Sequence, residues 1–287
     1  MAESWSEWPA PAKLNLFLHV VGRRSDGYHL LQTAFQLLDL CDTVRLRPRN
    51  DPVIARESGP PGVPPDADLA VRAARLLQQH AAVPTGVDIS IDKRIPLGGG
   101  LGGGSSDAAT VLVALNQLWG LRLPVDRLAA LGLALGADVP VFVHGCSAWA
   151  EGVGERLQPL ALPPRWFMVI DPGIAVATAS IFQAPELTRN SPHTTIARFV
   201  AGEPTRNDLE PVVRARHAGI ASALDWLGAR APARLTGSGG CLYAAFASRA
   251  EALQVAAAVP APWRGLVAQG LQVSPLAERV AVWRQRS

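Results

Sequence analysis

Ile95-Pro96-Leu97-Gly98-Gly99-Gly100-Leu101-Gly102-Gly103-Gly104-Ser105-Ser106-Asp107 lies between two regular flanks. Val87-Asp88-Ile89-Ser90-Ile91 reads as a strand leading in, and Ala108 to Leu115 as a helix leading out. Glycine has no Cβ, so its backbone turns sharply and approaches a ligand closely. A helix N-terminus offers unpaired N–H groups and a partial positive charge. Together they form a site for a phosphate-type anion and point to a nucleotide-dependent phosphotransferase. Ser105 or Ser106 is expected as the helix N-cap, with Asp107 in the first turn. The loop is not of the Walker type, because no Gly-Lys-Ser/Thr follows the glycines and no lysine lies between Arg94 and the end of the next helix. Gly98-x-Gly100-x-x-Gly103 fits a dinucleotide-binding pattern, but with so many glycines the match is nearly automatic. The acid near the required spacing, Asp126, sits after Pro124 where a helix would start, not at a strand end. A flexible linker would have neither the regular flanks nor the Ser-Ser-Asp helix start.

At 287 residues, 48% hydrophobic and 18% charged, the chain is compact and has room for two cores. Its net charge of +3 is weak. Arg23-Arg24, the Arg45/Arg47/Arg49 alternation and Arg284/Arg286 are scattered and read as solvated faces, so no nucleic-acid partner is expected. The modest positive bias suits an anionic substrate. Met1 to Glu7 has neither the basic start nor the apolar core of a signal peptide. The apolar runs near 108–119 and 128–137 fall short of the ~18 residues a membrane span needs, so no membrane partner is expected. Cys41, Cys146 and Cys241 are far apart and odd in number, which suits a reducing cytoplasm rather than a disulfide framework. His144 and Cys146 lack the spacing of a metal site. Oligomeric state and metal ligands stay open.

Leu14 to Val21 reads as a strand with Lys13 just before it, a position where lysine is usually a solvated charge. Residues 22–27 are turn chemistry, and Tyr28-His29 follows at a loop edge, where the pair can be filler or can stack on and read a ring. Leu30 to Leu40 is apolar and of open type. Asp42 to Arg47 reads as a strand with one basic face, and 50–66 as a Pro/Gly loop. Asp66 or Asp68 can cap a helix through Val71 to Leu77. A further helix runs from Pro124 to about Leu135. Asp138 is an isolated carboxylate in an uncharged stretch; it reads equally as a cap or as a positioned active-site acid. Composition shifts near Pro159 to Pro164, so the domains divide as 1–161 and 162–287. Trp166 to Ile170 is a fresh strand, 184–207 is loop-rich, and Asp208 can cap a helix running from Val212 to Leu227. Thr236-Gly237-Ser238-Gly239-Gly240 is a second glycine turn before the strand Cys241 to Phe246. Ser248-Arg249-Ala250-Glu251 is a capping box, and 265–268 reads as a last strand.

Pro11-Ala12-Lys13-Leu14-Asn15-Leu16, the loop from Pro96 to Asp107, and Thr236 to Gly240 resemble, in order, the three motifs of the GHMP kinases. Arg24 to His29, Leu135 to Pro140 and Asn207-Asp208-Leu209-Glu210 resemble the branch that phosphorylates the 2-hydroxyl of a cytidine-diphosphate-linked methylerythritol in non-mevalonate isoprenoid synthesis. The likeness spans nearly the whole chain. It implies an α+β, two-domain fold, with an N-terminal domain like domain 2 of ribosomal protein S5, a ferredoxin-like C-terminal domain and the active site in the cleft between them. It implies Asp138 and Lys13 as the catalytic pair. ATP is the implied co-substrate, with Mg²⁺, and it would be wrapped by Pro96, Leu97, Gly98, Gly99, Gly100, Leu101, Gly102, Gly103, Gly104, Ser105 and Ser106, with Lys93 near the adenine. Tyr28, His29 and Phe182 would sandwich and read the cytosine, with Asn15 and Thr178 as further substrate contacts. One position departs from the pattern: Asp68 stands where relatives often carry Asn. Another small-alcohol kinase of the superfamily would have no use for a cytosine clamp. A non-catalytic ligand sensor would not need both Lys13 and Asp138, and a nicotinamide absorbance assay tests an NAD-dependent oxidoreductase.

Overall fold

The computed structural model describes residues 4–286. The signal-peptide reading therefore falls partly on Met1 to Glu3, outside the described residues. The first half contains β1 (Ser6–Arg23), β2 (His29–Arg49), β3 (Ile54–Ser58), α1 (Leu69–Ala81), β4 (Gly86–Asp92), α2 (Gly103–Leu118), α3 (Val125–Leu133), α4 (Val139–His144), β5 (Ala148–Gly152) and β6 (Arg156–Pro159). The second half contains β7 (Trp166–Asp171), α5 (Thr178–Phe182), α6 (Ile196–Val200), α7 (Glu210–Arg216), α8 (Ala218–Gly228), β8 (Ala233–Leu235), β9 (Leu242–Phe246), α9 (Arg249–Ala257), β10 (Arg264–Leu271) and α10 (Pro275–Arg286).

The open run Leu30 to Leu40 is the first half of β2, which continues without a break through the basic strand. β2 is long enough to pair with β1 along most of its length, with β5 near its start and with β4 near its end. It also meets β10 at Leu37 and Leu38, which joins the two halves into one sheet ordered β3-β4-β2-β10-β7-β9-β8. Register shifts flank Lys13 and Asn15 on β1. Such bulges bend a strand and re-aim its side chains.

Buried faces set the layers. On α1 the residues Ala70, Val71, Ala73, Ala74 and Leu77 recur at helical spacing and pack with Trp8, Leu112 and Phe142 in a first core. A second core gathers Met168, Ile170, Ile181, Leu224 and Leu242. Between them Ile95, Leu101, Phe167, Cys241 and Tyr243 close a third cluster directly beneath the glycine loop. Each large side chain so buried contributes about 1.5–3 kcal/mol. α10 returns to the first core through Leu276 and Val280, and Trp283 lies 5.2 Å from Trp8.

Several local expectations change. The 50–66 loop contains β3, and the 184–207 segment contains α6. The helix after Asp208 is two helices, broken at His217. Asp208 does not cap them: its carboxylate accepts from the Val20 amide (2.7 Å) and the Ser191 hydroxyl (2.6 Å), while Asn207 Oδ1 accepts from the Leu209 amide. α2 starts at Gly103, with Gly102 left-handed at the cap, so neither Ser105 nor Ser106 is the N-cap and Asp107 lies beyond the first turn. Asp68 does cap α1, and the Ser248–Glu251 capping box is present. Among the described residues no helix is long and apolar enough to cross a membrane.

Candidate active site

A cleft of about 870 Å³ opens over the third cluster. Its walls include Lys13, Asn15, Tyr28, His29, the loop from Pro96 through Ser105, Asp138, Thr178 and Phe182. Two expected residues, Ser106 and Lys93, are not among the cleft walls.

Lys13 is not the solvated charge its place in the sequence suggests: it lies inside β1 and is 2% exposed. Its ammonium donates to Asn15 Oδ1 (2.6 Å) and to the Gly100 carbonyl (2.9 Å), and it lies 3.1 Å from Asp138 Oδ2. One charge thus links the glycine loop to the carboxylate. Asn15 is held in turn: its amide donates to Thr33 Oγ1, and its backbone N–H donates to Thr236 Oγ1, each at 3.0 Å. Asp138 occupies the N-cap position of α4, yet its side chain makes no cap hydrogen bond. The side chain turns to Lys13 instead of capping the helix.

The glycine loop owes its shape to the second glycine turn. Gly98, Gly100 and Gly102 all have positive φ, at 67°, 77° and 75°. The Cys241 amide donates to the Gly99 carbonyl (3.0 Å), and the Gly240 amide to the Gly98 carbonyl (3.3 Å). A Cβ on Gly100 would overlap the Thr236 carbonyl oxygen, and one on Gly239 would overlap the backbone of Gly99 and Gly100. The two motifs are therefore packed backbone on backbone. No side chain caps the N-terminus of α2, so its first-turn N–H groups remain available to an anion.

On the other side of the cleft the rings of His29 and Phe182 stand 5.1 Å apart at 34°. Burial lowers the His29 pKa below the usual imidazole value, and Arg189 and Arg23 push it further down. Tyr28 is 65% exposed beside them. Thr178 Oγ1 shares a 2.7 Å hydrogen bond with Ser238. The sequence reading missed Arg189 and Ser238; their chemistry depends on partners remote in the chain.

Lys93 is engaged elsewhere. Its ammonium donates to Asp42 and, at 2.6 Å, to Asp107. Asp42 also accepts from the backbone amides of Arg94 (2.6 Å) and Ile95 (2.8 Å). The cluster fixes the start of the loop to β2 and, through Lys93, to α2. Burial alone would lower the lysine's pKa, but the two carboxylates outweigh it and raise the value. Burial raises Asp107 to about 7, with Lys93 pulling it down and Asp42 pushing it up. Lys93→Met leaves two buried carboxylates without their cation and lowers stability by about 3–5 kcal/mol. Thermal unfolding checks this. Asp107 binds a proton more readily folded than unfolded, and the loss of Lys93 raises its pKa further. The variant's deficit is therefore larger at pH 8 than at pH 6. Asp68, the departing residue, is used twice: Oδ1 accepts from the Ala70 amide (2.9 Å) and Oδ2 from Arg56 (2.6 Å).

Comparison with known proteins adds to this geometry. Residues 68–146 match the GHMP kinases N terminal domain, and residues 196–265 match the GHMP kinases C terminal family. A 4-diphosphocytidyl-2-C-methyl-D-erythritol kinase of Alkalilimnicola ehrlichii is 58% identical over 96% of this chain and 95% of its own length. The enzyme of that name from Thiobacillus denitrificans is 59% identical over 94% and 96%. A crystal structure of 4-(cytidine 5'-diphospho)-2C-methyl-D-erythritol kinase superposes with a TM-score of 0.80 at 38% identity, covering 93% of this chain and all of the other. Homoserine kinase from Cytophaga hutchinsonii shares the fold, with a TM-score of 0.68 at 17% identity over 95% of this chain and 96% of its own.

Proposed function

The chain belongs to the GHMP kinases and, within them, to the 4-diphosphocytidyl-2-C-methyl-D-erythritol kinases, and from that membership we propose how its cleft works. It is a small-molecule kinase of the non-mevalonate isoprenoid pathway, with ATP as phosphoryl donor and the 2-hydroxyl of the cytidylyl substrate as acceptor. The observation that carries the proposed mechanism is the Lys13 ammonium, shared between Asp138 Oδ2 and the Gly100 carbonyl.

The α2 N-terminus and the loop amides between Pro96 and Ser105 bind the triphosphate and neutralise part of its charge. Asp138 accepts the proton of the 2-hydroxyl as its oxygen bonds to the γ-phosphorus; the bond between that phosphorus and the bridging oxygen breaks, and ADP leaves. Lys13 keeps Asp138 oriented and stabilises charge that develops on the transferred group. Mg²⁺ fits a donor set of this kind, because it keeps waters and phosphates and needs only one or two protein oxygens. Ser105, which stands in the cleft wall, would hold it, and Mg²⁺ bound there would supply further charge neutralisation. His29, Phe182 and Tyr28 enclose the cytosine, and Asn15 and Thr178 contact the remainder of the substrate. Lys93 acts on ATP only through the position of the loop, and Ser106 by packing in α2. The halves 1–161 and 162–287 are the two domains, with α10 returning to the first. Three free thiols suit the reducing cytoplasm.

An ADP-release assay with the cytidylyl substrate, mevalonate and homoserine tests the assignment. Turnover is expected with the first alone; comparable turnover with either of the others would overturn it.

A further inference from the structure

The His29–Phe182 clamp has a third member. Arg189 Nε donates to His29 Nε2 at 3.2 Å. Its Nη2 donates to the carbonyls of Phe182 (3.0 Å) and Ala184 (2.6 Å), and its Nη1 to that of Leu187 (3.0 Å). One guanidinium thus ties the start of β2 to the end of α5, the two elements that supply the rings. It also decides the state of one of them. A guanidinium has five N–H donors, no acceptor and no accessible neutral form. The nitrogen facing it must present a lone pair, so a neutral His29 carries its hydrogen on Nδ1. Burial and the cations Arg189 and Arg23 both disfavour the imidazolium, which keeps the ring neutral at pH 7. The two ring nitrogens point well away from each other, so the edge that Arg189 leaves free is a donor edge. His29 stands in the wall of the cleft.

We propose that Arg189 locks His29 as an Nδ1–H donor and thereby sets the enzyme's choice of base. Cytosine has an unprotonated N3 that accepts from such a donor, whereas uracil carries a hydrogen on N3 and meets it donor to donor. The inference rests on the proposed reading of this clamp as the cytosine site. Arg189 is a positioning residue: it acts through His29 and contacts no reacting atom.

Histidine-labelled enzyme at pH 7.5, observed by ¹⁵N NMR, reads the tautomer directly. Steady-state kinetics with the cytidylyl substrate and its uridylyl analogue reads the consequence. The unaltered enzyme is expected to show the Nδ1–H tautomer at His29 and to prefer the cytidylyl substrate. Arg189→Met is expected to mix the tautomers, to lower that preference about tenfold through the KM of the cytidylyl substrate, and to leave the KM for ATP unchanged. Arg189→Lys, which retains a donor, is expected to keep the Nδ1–H signature and most of the preference. An Nε2–H tautomer in the unaltered enzyme would overturn the inference even if neither variant folds. So would an unchanged preference in folded Arg189→Met. If the unaltered enzyme does not distinguish the two substrates, the cytosine reading itself fails, independently of Arg189.

Discussion

Asp138→Asn lowers kcat by about 10³-fold, within the range expected for loss of a positioned proton acceptor, while ATP affinity changes by less than about twofold. Asparagine keeps the size of the side chain and leaves α4 intact, because the carboxylate makes no cap hydrogen bond there. The fold is not at risk either. Asp138 is 34% exposed, so solvent screens its pairing with Lys13, and Lys13 retains Asn15 Oδ1 and the Gly100 carbonyl as acceptors. What disappears, in the proposed mechanism, is the group that takes the hydroxyl proton. Single-turnover kinetics and equilibrium titration with an ATP analogue separate the two quantities. A variant that retains more than a tenth of the rate would mean that positioning and loop amides carry the reaction without a base.

The parts of this site that were legible in the sequence are those whose chemistry is local. A run of glycines between a strand and a helix reads as an anion site from backbone physics alone, and the cleft is lined by that loop through Ser105. The capping box at Ser248 and the Asp68 cap were readable because caps act over a few residues. Charges defined by distant partners were not. Lys93 reads as an ATP contact by resemblance, yet Asp42 on β2 and Asp107 on α2 both reach it, and no spacing rule links those three positions. Arg189 lay in a segment read only as loop, and its value comes from a histidine at the start of β2. The start of α2 was misplaced for a related reason. Serine is a good cap by propensity, but the tertiary fit of the loop puts left-handed Gly102 there instead. The length of β2 was hidden because its first half is buried on both faces and shows no alternation.

Gly100→Ala tests the claim that the two glycine turns form one unit. The substitution has two costs that a comparison separates. Any alanine with φ near 77° carries left-handed strain of about 1–2 kcal/mol. Gly120 has a φ of 64° with nothing within 4 Å of its would-be Cβ, so Gly120→Ala isolates that strain. At Gly100 the new methyl would also overlap the Thr236 carbonyl oxygen and lie 3.0 Å from the Gly239 amide nitrogen. Both are main chain and cannot rotate away, so the turns must separate, at a further cost of about 1–3 kcal/mol. Separation strains the backbone bonds from Gly240 and Cys241 to the loop and displaces the carbonyl that holds Lys13. Gly100→Ala therefore loses both stability and ATP affinity, the latter by at least about tenfold, whereas Gly120→Ala loses stability alone. Thermal unfolding and nucleotide titration on the two variants make the comparison. Equal effects at Gly100 and Gly120 would show that the loop holds its shape without the second turn beneath it, and the phosphate cradle would then be a property of residues 96–106 by themselves.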